Sequence, residues 1–203
     1  MATLGLYIVS VIILTIIPGP DLIFLITQGL TKGRKEAVFT ALGLSSGCLF
    51  HTTLAAFGVS IIFQQSAIAF NILKILGVLY LLYLSIKSYI SAEKFSLPKN
   101  TEAKSGYLKG VLMNILNPKV ILFYLAFLPQ FVPTGTNKVW AYMMFLGLIF
   151  AFIAVVILTT VAFISSALNN LLLKNNKAMV IINKIGAFVI FLLALFLAFT
   201  PRN

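Results

Sequence analysis

The sequence predicts an all-α membrane protein with six transmembrane helices arranged as two inverted three-helix repeats. Of the 203 residues, 61% are apolar, and the mean hydropathy is +1.07. Only 9% of the residues are charged, whereas about a quarter are charged in soluble domains. A soluble domain of this length has too little interior to bury so much apolar surface. The chain is therefore expected to lie in a membrane.

The spans are located by stretches without charged side chains. The run 37–73 carries no charge and is too long for one crossing, which takes roughly 20 residues, so Gln64, Gln65 and Ser66 mark its break. The ten-residue alternating segments of a membrane barrel are absent from the sequence. We expect the first span to be retained, because no basic residues precede it and no small-residue cleavage site follows. The six predicted spans are about 4–27, 38–62, 70–90, 108–131, 139–165 and 180–199.

The orientation is predicted from the basic residues in the loops, which face the cytoplasm in most membrane proteins. Lys74, Lys138 and Arg202 lie on one side of the predicted bundle. The loops and span ends on the other side carry many more: Lys32, Arg34, Lys35, Lys87, Lys94, Lys99, Lys104, Lys109, Lys174, Lys177 and Lys184. We therefore expect both termini to lie outside the cytoplasm. Because the basic residues are spread over several loops, anionic lipid headgroups are a better partner for them than nucleic acid.

The chain is predicted to be a single transporter domain over residues 1–203, made of two halves. Repeat one covers about 1–91, a connector covers 92–106, and repeat two covers about 107–203. Each half has three spans, so the second half enters the membrane upside down relative to the first, a common plan in secondary transporters. An offset of 98 residues places Pro20 on Pro118 and Asp21 on Lys119.

Spans one and four are predicted to be broken at proline motifs. Proline lacks an N–H and clashes with the carbonyl four residues before it, and backbone groups freed in this way cannot face lipid. Broken spans at matching places in two halves indicate a binding site, and a structural kink filled by side chains is the alternative. The candidate substrate-binding residues are Pro18, Gly19, Pro20, Asp21, Asn114, Asn117, Pro118 and Lys119.

Asp21 and Lys119 are the charged residues placed well inside the predicted spans. A charge at the bilayer centre costs about 2.5–3.5 kcal/mol on insertion scales, so both are expected to face the protein interior. Asp21 is a candidate for proton coupling, because a buried carboxylate can bind and release a proton. A salt bridge that only fixes helix packing and a Lys119 side chain that reaches the membrane surface are the alternatives.

His51 lies near the middle of span two and is the second candidate for proton coupling. Histidine titrates near neutral pH, although a lone histidine in a membrane more often forms a hydrogen bond to a neighbouring helix. Gly43 and Gly47 form a GxxxG element on the same span, which allows two helices to approach closely. Its expected role is packing, either within one subunit or between two.

Several motifs show a resemblance to a known family. Residues 17–21, Ile-Pro-Gly-Pro-Asp, resemble the first-helix signature of the LysE/RhtB family of bacterial amino-acid exporters. Residues 114–131, NILNPKVILFYLAFLPQF, resemble the second and more specific signature, and residues 76–84 resemble the third-helix pattern. The resemblance implies a secondary active transporter that exports amino acids or close derivatives, by proton antiport, across the bacterial inner membrane.

Other classes of function are disfavoured by the residues present. The sequence contains no GxxxxGK[ST] phosphate loop and no nucleophile paired with an activating base. We therefore expect neither an enzyme nor a cofactor. A cation or metal exporter of the same fold is the alternative, although Asp21, His51 and Cys48 are few ligands and Lys119 would repel a cation. The expected partners are an amino acid, protons, membrane lipids and, since six spans form a thin scaffold, a second copy of the chain.

Overall fold

The computed structural model describes residues 2–17, 19–59, 67–91, 106–133, 136–167 and 176–199. Within these ranges every regular element is a helix and none is a strand. This agrees with the all-helical prediction. The proposed break in the long apolar run, at Gln64, Gln65 and Ser66, lies outside the described residues, as does most of the predicted connector 92–106.

The helices are numbered in chain order. The third helix ends in a wider π-helical segment, Ala55–Val59, and the sixth continues through Phe123–Phe127 and the tighter 3₁₀ turn Leu128–Phe131. The bounds are α1 Ala2–Ile16, α2 Pro20–Lys32, α3 Arg34–Leu54, α4 Ala67–Ser91, α5 Gly106–Ile115, α6 Pro118–Leu122, α7 Val139–Ala167 and α8 Asn176–Phe199.

Two helices among the described residues are long and apolar enough to cross a membrane, Arg34–Gly58 and Val139–Ala167. The number rises to four if each of two bent pairs is one span. The axes bend by 55° between Leu4–Ile16 and Pro20–Lys32, and by 48° between Gly106–Ile115 and Pro118–Phe131. The predicted third and sixth spans, 70–90 and 180–199, lie within α4 and α8. Six crossings and two inverted repeats remain predictions.

The contacts between helices run mainly from the first half of the chain to the second. Helix α3 packs against α5 and α7, α7 also packs against α1 and α2, and α4 packs against α8. The outward faces of these helices are apolar, as at Phe152, Phe188 and Phe199, which are 70%, 60% and 82% exposed. Apolar side chains exposed over such long helices are those that lipid would cover.

Small residues hold α3 against α5. A Cβ at Gly110 of α5 would lie 2.5 Å from the Thr40 carbonyl oxygen of α3. A Cβ at Gly43 would meet the backbone carbonyl of Tyr107, and one at Gly47 would lie 2.6 Å from Asn114 Oδ1. The predicted GxxxG element therefore packs within this chain, and it brings the polar centre of α3 onto the end of α5.

Candidate functional site

Two helix N-termini form the core of the site. Helix α2 begins at Pro20 and α6 begins at Pro118, and proline suits this position because its missing N–H has no partner within a helix. The preceding residues, Gly19 and Asn117, are extended. Asn117 also caps α6, since its Oδ1 accepts a hydrogen bond from the backbone N–H of Lys119 at 3.0 Å. Asn117 thus caps its helix with its side chain, whereas Gly19 has no side chain that could cap α2.

Asp21 and Lys119 lie beside each other at these two helix starts. The Lys119 Nζ is 3.6 Å from Asp21 Oδ1, and their side chains are 3% and 10% exposed. At this distance the pair is an ion pair without a direct hydrogen bond. The two residues that the 98-residue offset superposes are therefore in contact, and both charges face the protein interior.

Lys119 makes its hydrogen bonds to the end of α1. Its Nζ donates to the Leu14 carbonyl at 3.2 Å and to the Ile17 carbonyl at 3.1 Å. The last carbonyls of a helix lack partners within it and carry the negative end of the helix dipole. The ammonium therefore lies among three oxygens: two helix-terminal carbonyls and one carboxylate.

Gly19 has no room for a side chain. A Cβ there would lie 2.7 Å from Asp21 Oδ1 and 3.2 Å from Lys119 Nζ. The absence of a side chain lets the ammonium approach the chain where α1 gives way to α2. Pro18, the remaining predicted residue of this motif, lies outside the described residues.

A small cavity adjoins the ion pair. Its volume, counted for the centre of a water molecule, is about 10 Å³, which is roughly the room for one water. An amino acid does not fit this space, so in this structure the site is closed to a solute of that size. The lining residues are Leu14, Thr15, Asp21, Cys48, Asn114, Lys119, Val120, Phe150, Ala154 and Leu158.

Polar atoms without hydrogen bonds occur on two residues that line this cavity and on Asn117, which caps α6. Asp21 Oδ1, Asn114 Oδ1 and Asn117 Nδ2 are all buried without a hydrogen-bond partner. The Asn114 amide donates only a long contact to Cys48 Sγ, at 3.7 Å. Most buried polar atoms in native proteins have a partner. These three atoms offer two acceptors and one donor to a polar ligand.

His51 is next to the site but does not contact the ion pair. It is 4% exposed, and its Nε2 lies 3.1 Å from the Asn114 carbonyl oxygen at the end of α5. A carbonyl can only accept, so Nε2 carries the hydrogen in this contact. His51 of α3 thus forms a hydrogen bond between helices that holds the end of α5. Its part in proton coupling remains a prediction.

The sequence analysis did not identify the aromatic wall beside the site. Tyr124 of α6 is 1% exposed, and its ring lies 5.0 Å from Phe150 and 5.6 Å from His51. Its hydroxyl forms a hydrogen bond with the Thr52 hydroxyl at 3.2 Å. The signal available was the position of Tyr124 within the second signature, but phenylalanine and tyrosine are so frequent in this chain that position alone does not distinguish a site from a core.

The intramembrane threonines mainly form hydrogen bonds to their own helices. Thr52, Thr53 and Thr160 each donate to the carbonyl four residues before them. Thr159 differs, because its buried hydroxyl has no partner. Within the described part of the chain, no group of three or more His, Cys, Asp or Glu side chains is placed to hold a metal ion.

Comparison with known proteins gives relatives among bacterial membrane proteins. The chain is 36% identical over 149 residues to the uncharacterized membrane protein YrhP of Bacillus subtilis, which covers 68% of this chain and 71% of the relative. It is 29% identical over 145 residues to an uncharacterized membrane protein of Vibrio cholerae, covering 70% of each. It is 32% identical over 136 residues to a leucine efflux protein of an Enterobacter species, covering 65% of this chain and 64% of the relative. No solved structure matches.

The family model for the LysE type translocator matches residues 12–200. The matched range contains both helix breaks, the ion pair and the cavity. The family consists of transporters rather than enzymes, which agrees with the sequence analysis. This chain belongs to the LysE-type translocator family.

Proposed function

We propose that this protein exports amino acids or close derivatives across the bacterial inner membrane by proton antiport. The observation that supports this most directly is the buried pair of Asp21 and Lys119 between two helix starts, in a chain of a translocator family. Buried ion pairs often add little stability compared with apolar residues of similar size. A role in binding a zwitterionic solute gives this pair a reason to be present.

The position of the Lys119 ammonium is the proposed site for the ammonium of the solute. Both groups carry one positive charge and donate three hydrogen bonds. The Leu14 and Ile17 carbonyls and the Asp21 carboxylate surround this position. When Lys119 moves aside, the solute takes over these oxygens. The solute carboxylate then pairs with the displaced Lys119 and with the unpartnered Nδ2 of Asn117.

Leucine is the first solute to test. One relative is a leucine efflux protein, and the cavity has apolar walls at Leu14, Phe150 and Leu158. These side chains suit an aliphatic group that lies beyond the charged end of the solute.

Transport requires the closed cavity to open alternately on each side. Inverted repeats that rock about a central site produce two such states, and helix contacts that run mainly between the two halves of the chain are compatible with this motion. We propose six spans, with both termini outside the cytoplasm. Impermeant thiol labelling of cysteines introduced near Thr3 and Asn203 tests the orientation, which is wrong if they react only from the cytoplasmic side.

Proton exchange is proposed to occur at Asp21. Protonation neutralises the carboxylate, which weakens its hold on the solute ammonium and favours release. Loss of the proton on the other side restores the charge. The cycle needs no nucleotide, so an uncoupler should stop concentrative export.

The proposed function is tested with purified protein in preloaded vesicles. Radiolabelled leucine, a panel of other amino acids and a panel of metal cations are each followed with and without an uncoupler. The expected result is amino-acid efflux that an imposed proton gradient accelerates and an uncoupler removes. Asp21→Asn should abolish proton-driven export, and Lys119→Ala should reduce it strongly.

The same assay contains its control and its contrary outcomes. Thr53→Val changes an exposed side chain whose hydroxyl bonds only within its own helix, so export should continue. Cation efflux without amino-acid efflux would replace the proposal with metal export. Proton-driven export at the wild-type rate by Asp21→Asn would remove Asp21 from the coupling.

We also propose that the protein forms a homodimer. Crosslinking in native membranes tests this, and recovery of the monomer alone at every concentration of crosslinker would contradict it.

A further inference from the structure

Gln28 of α2 is buried and has no hydrogen-bond partner. The residue is 1% exposed, and neither Oε1 nor Nε2 forms a hydrogen bond. A primary amide offers two donors and two acceptor sites, and leaving these unpaired in the interior is unfavourable. An unpaired amide of this kind calls for a partner that the closed structure does not provide.

Two nearby or similar side chains in the described part of the chain do have partners. Thr27, the preceding residue, donates to the Ile23 carbonyl at 2.8 Å. Gln130 is also buried, and its amide donates to the Ala126 carbonyl at 3.4 Å. A back-bond to the carbonyl four residues earlier is thus the usual arrangement in these helices. Gln28 departs from it.

Gln28 lies on the face of α2 that begins with Asp21. Leu25 and Gln28 follow Asp21 by four and seven positions, the spacing of residues that share one face of a helix. Both are buried, at 0% and 1% exposure. Seven residues rise by about 10 Å along a helix. The amide is therefore displaced from the ion pair by roughly two turns, toward the end of α2 at Lys32.

Helix α7 accompanies this face from the cavity to the level of Gln28. Leu158 of α7 lines the cavity together with Asp21. Two turns further along α7, Ser165 packs against Gly29, where an added Cβ would meet the Ser165 hydroxyl. Gln28 adjoins this close contact in the chain. The contact between α2 and α7 therefore extends from the cavity to the level of Gln28.

We propose that the Gln28 amide is a second binding point for the transported solute, on the route between the ion-pair cavity and the C-terminal end of α2. When α2 and α7 separate, the amide oxygen accepts from the solute ammonium and the amide nitrogen donates to its carboxylate. The proposal rests on the proposed amino-acid export. The junction between α2 and α3 carries Lys32, Arg34 and Lys35 and is expected on the cytoplasmic side, from which an exporter loads its solute.

The test compares Gln28→Met with Gln130→Met in the vesicle assay. Methionine keeps the length of the side chain and removes the amide in both variants. Efflux of leucine, or of the panel amino acid that wild type exports best, is measured at increasing internal concentration. Gln28→Met should raise KM by at least about tenfold, the loss expected for a hydrogen bond to a charged solute, while kcat stays within about twofold.

Gln130→Met should leave KM unchanged, and removal of the unpaired amide in Gln28→Met should not lower Tm. An unchanged KM for Gln28→Met in an active protein overturns the inference and leaves the proposed function standing. Absence of amino-acid export by wild type overturns both. If Gln28→Met fails to insert into the membrane, the inference is tested with Gln28→Cys in a Cys48→Ala background, in which the introduced thiol is the only one in the chain. Thiol labelling slowed by the solute supports the binding point, and labelling that is absent or unaffected by the solute overturns it.

Discussion

The two helix breaks are closed by different kinds of partner. At the first break, the Leu14 and Ile17 carbonyls receive their hydrogen bonds from Lys119, which belongs to the other half of the chain. At the second break, Asn117 caps α6 locally, and its own N–H donates to the Asn114 carbonyl at 3.0 Å. The first break therefore depends on a residue distant in sequence, whereas the second is largely completed by its own segment.

This difference indicates which of the two helix breaks is able to move. Lys119 can leave α1 only when another donor, such as a solute ammonium, replaces it, because buried carbonyls without partners are costly. The second break keeps its local hydrogen bonds whether or not Lys119 moves. We therefore expect the joint between α1 and α2 to open during transport and the joint between α5 and α6 to keep its shape.

The largest effect is expected at Lys119, which pairs with Asp21 and also donates to two carbonyls at the end of α1. Asp21→Asn and Lys119→Met each leave one buried charge unpaired, which costs about 3–5 kcal/mol. Lys119→Met should be the more destabilising, because it also removes the donor to two α1 carbonyls. The double variant should be more stable than the sum of the two losses predicts. Thermal unfolding of the four proteins in one detergent measures the cycle. If Asp21→Asn and Lys119→Met lose the same stability, the proposed difference between the two breaks is wrong. If the loss in the double variant equals the sum of the two single losses, the two side chains do not interact.

The next effect concerns the contact that holds the second break in place. Gly110→Ala puts a Cβ 2.5 Å from the Thr40 carbonyl, and forcing α5 away from α3 should cost about 1–3 kcal/mol. Gly5→Ala is the matched control, because nothing lies within 4 Å of a Cβ there. Thermal unfolding should show a lower Tm only for Gly110→Ala. A similar Tm for both variants would mean that α3 and α5 can move apart at this contact without a loss of stability.

A smaller effect tests the local cap of the second break. Asn117→Ala removes the oxygen that accepts from the Lys119 backbone N–H and should cost about 1 kcal/mol. Asn117→Ser retains such an oxygen without adding a charge and should keep most of the stability, as measured by unfolding in the same detergent. If both variants lose as much stability as Lys119→Met, the second break is not more self-sufficient than the first.

The smallest effect is expected at His51. His51→Gln keeps an N–H donor for the Asn114 carbonyl, so stability should change by less than about 1 kcal/mol. If His51 acts only as a support for α5, export should retain its response to a proton gradient. His51→Leu serves as the comparison, since it removes the donor. Loss of the proton response in a folded His51→Gln protein would instead assign His51 to the proton path.

Much of the site was accessible to sequence reasoning, for physical reasons. Proline and charge are rare inside apolar spans, so Pro20, Asp21, Pro118 and Lys119 stood out against their surroundings. The offset that superposes Asp21 on Lys119 selected two residues that are in contact in the fold. Gln28 did not stand out, because an uncharged glutamine in a span is usually satisfied by its own helix, and only the folded structure shows that this one is not.

The sequence by itself determined the helical class and the family, because hydrophobicity, charge and short motifs are local properties of the chain. Only the tertiary structure decided what fills each break. Lys119 reaches the α1 carbonyls, His51 reaches the end of α5, and the cavity closes to the size of one water. These contacts join residues far apart in sequence, through helix packing whose geometry depends on many side chains at once. Periodicity and composition do not specify that packing.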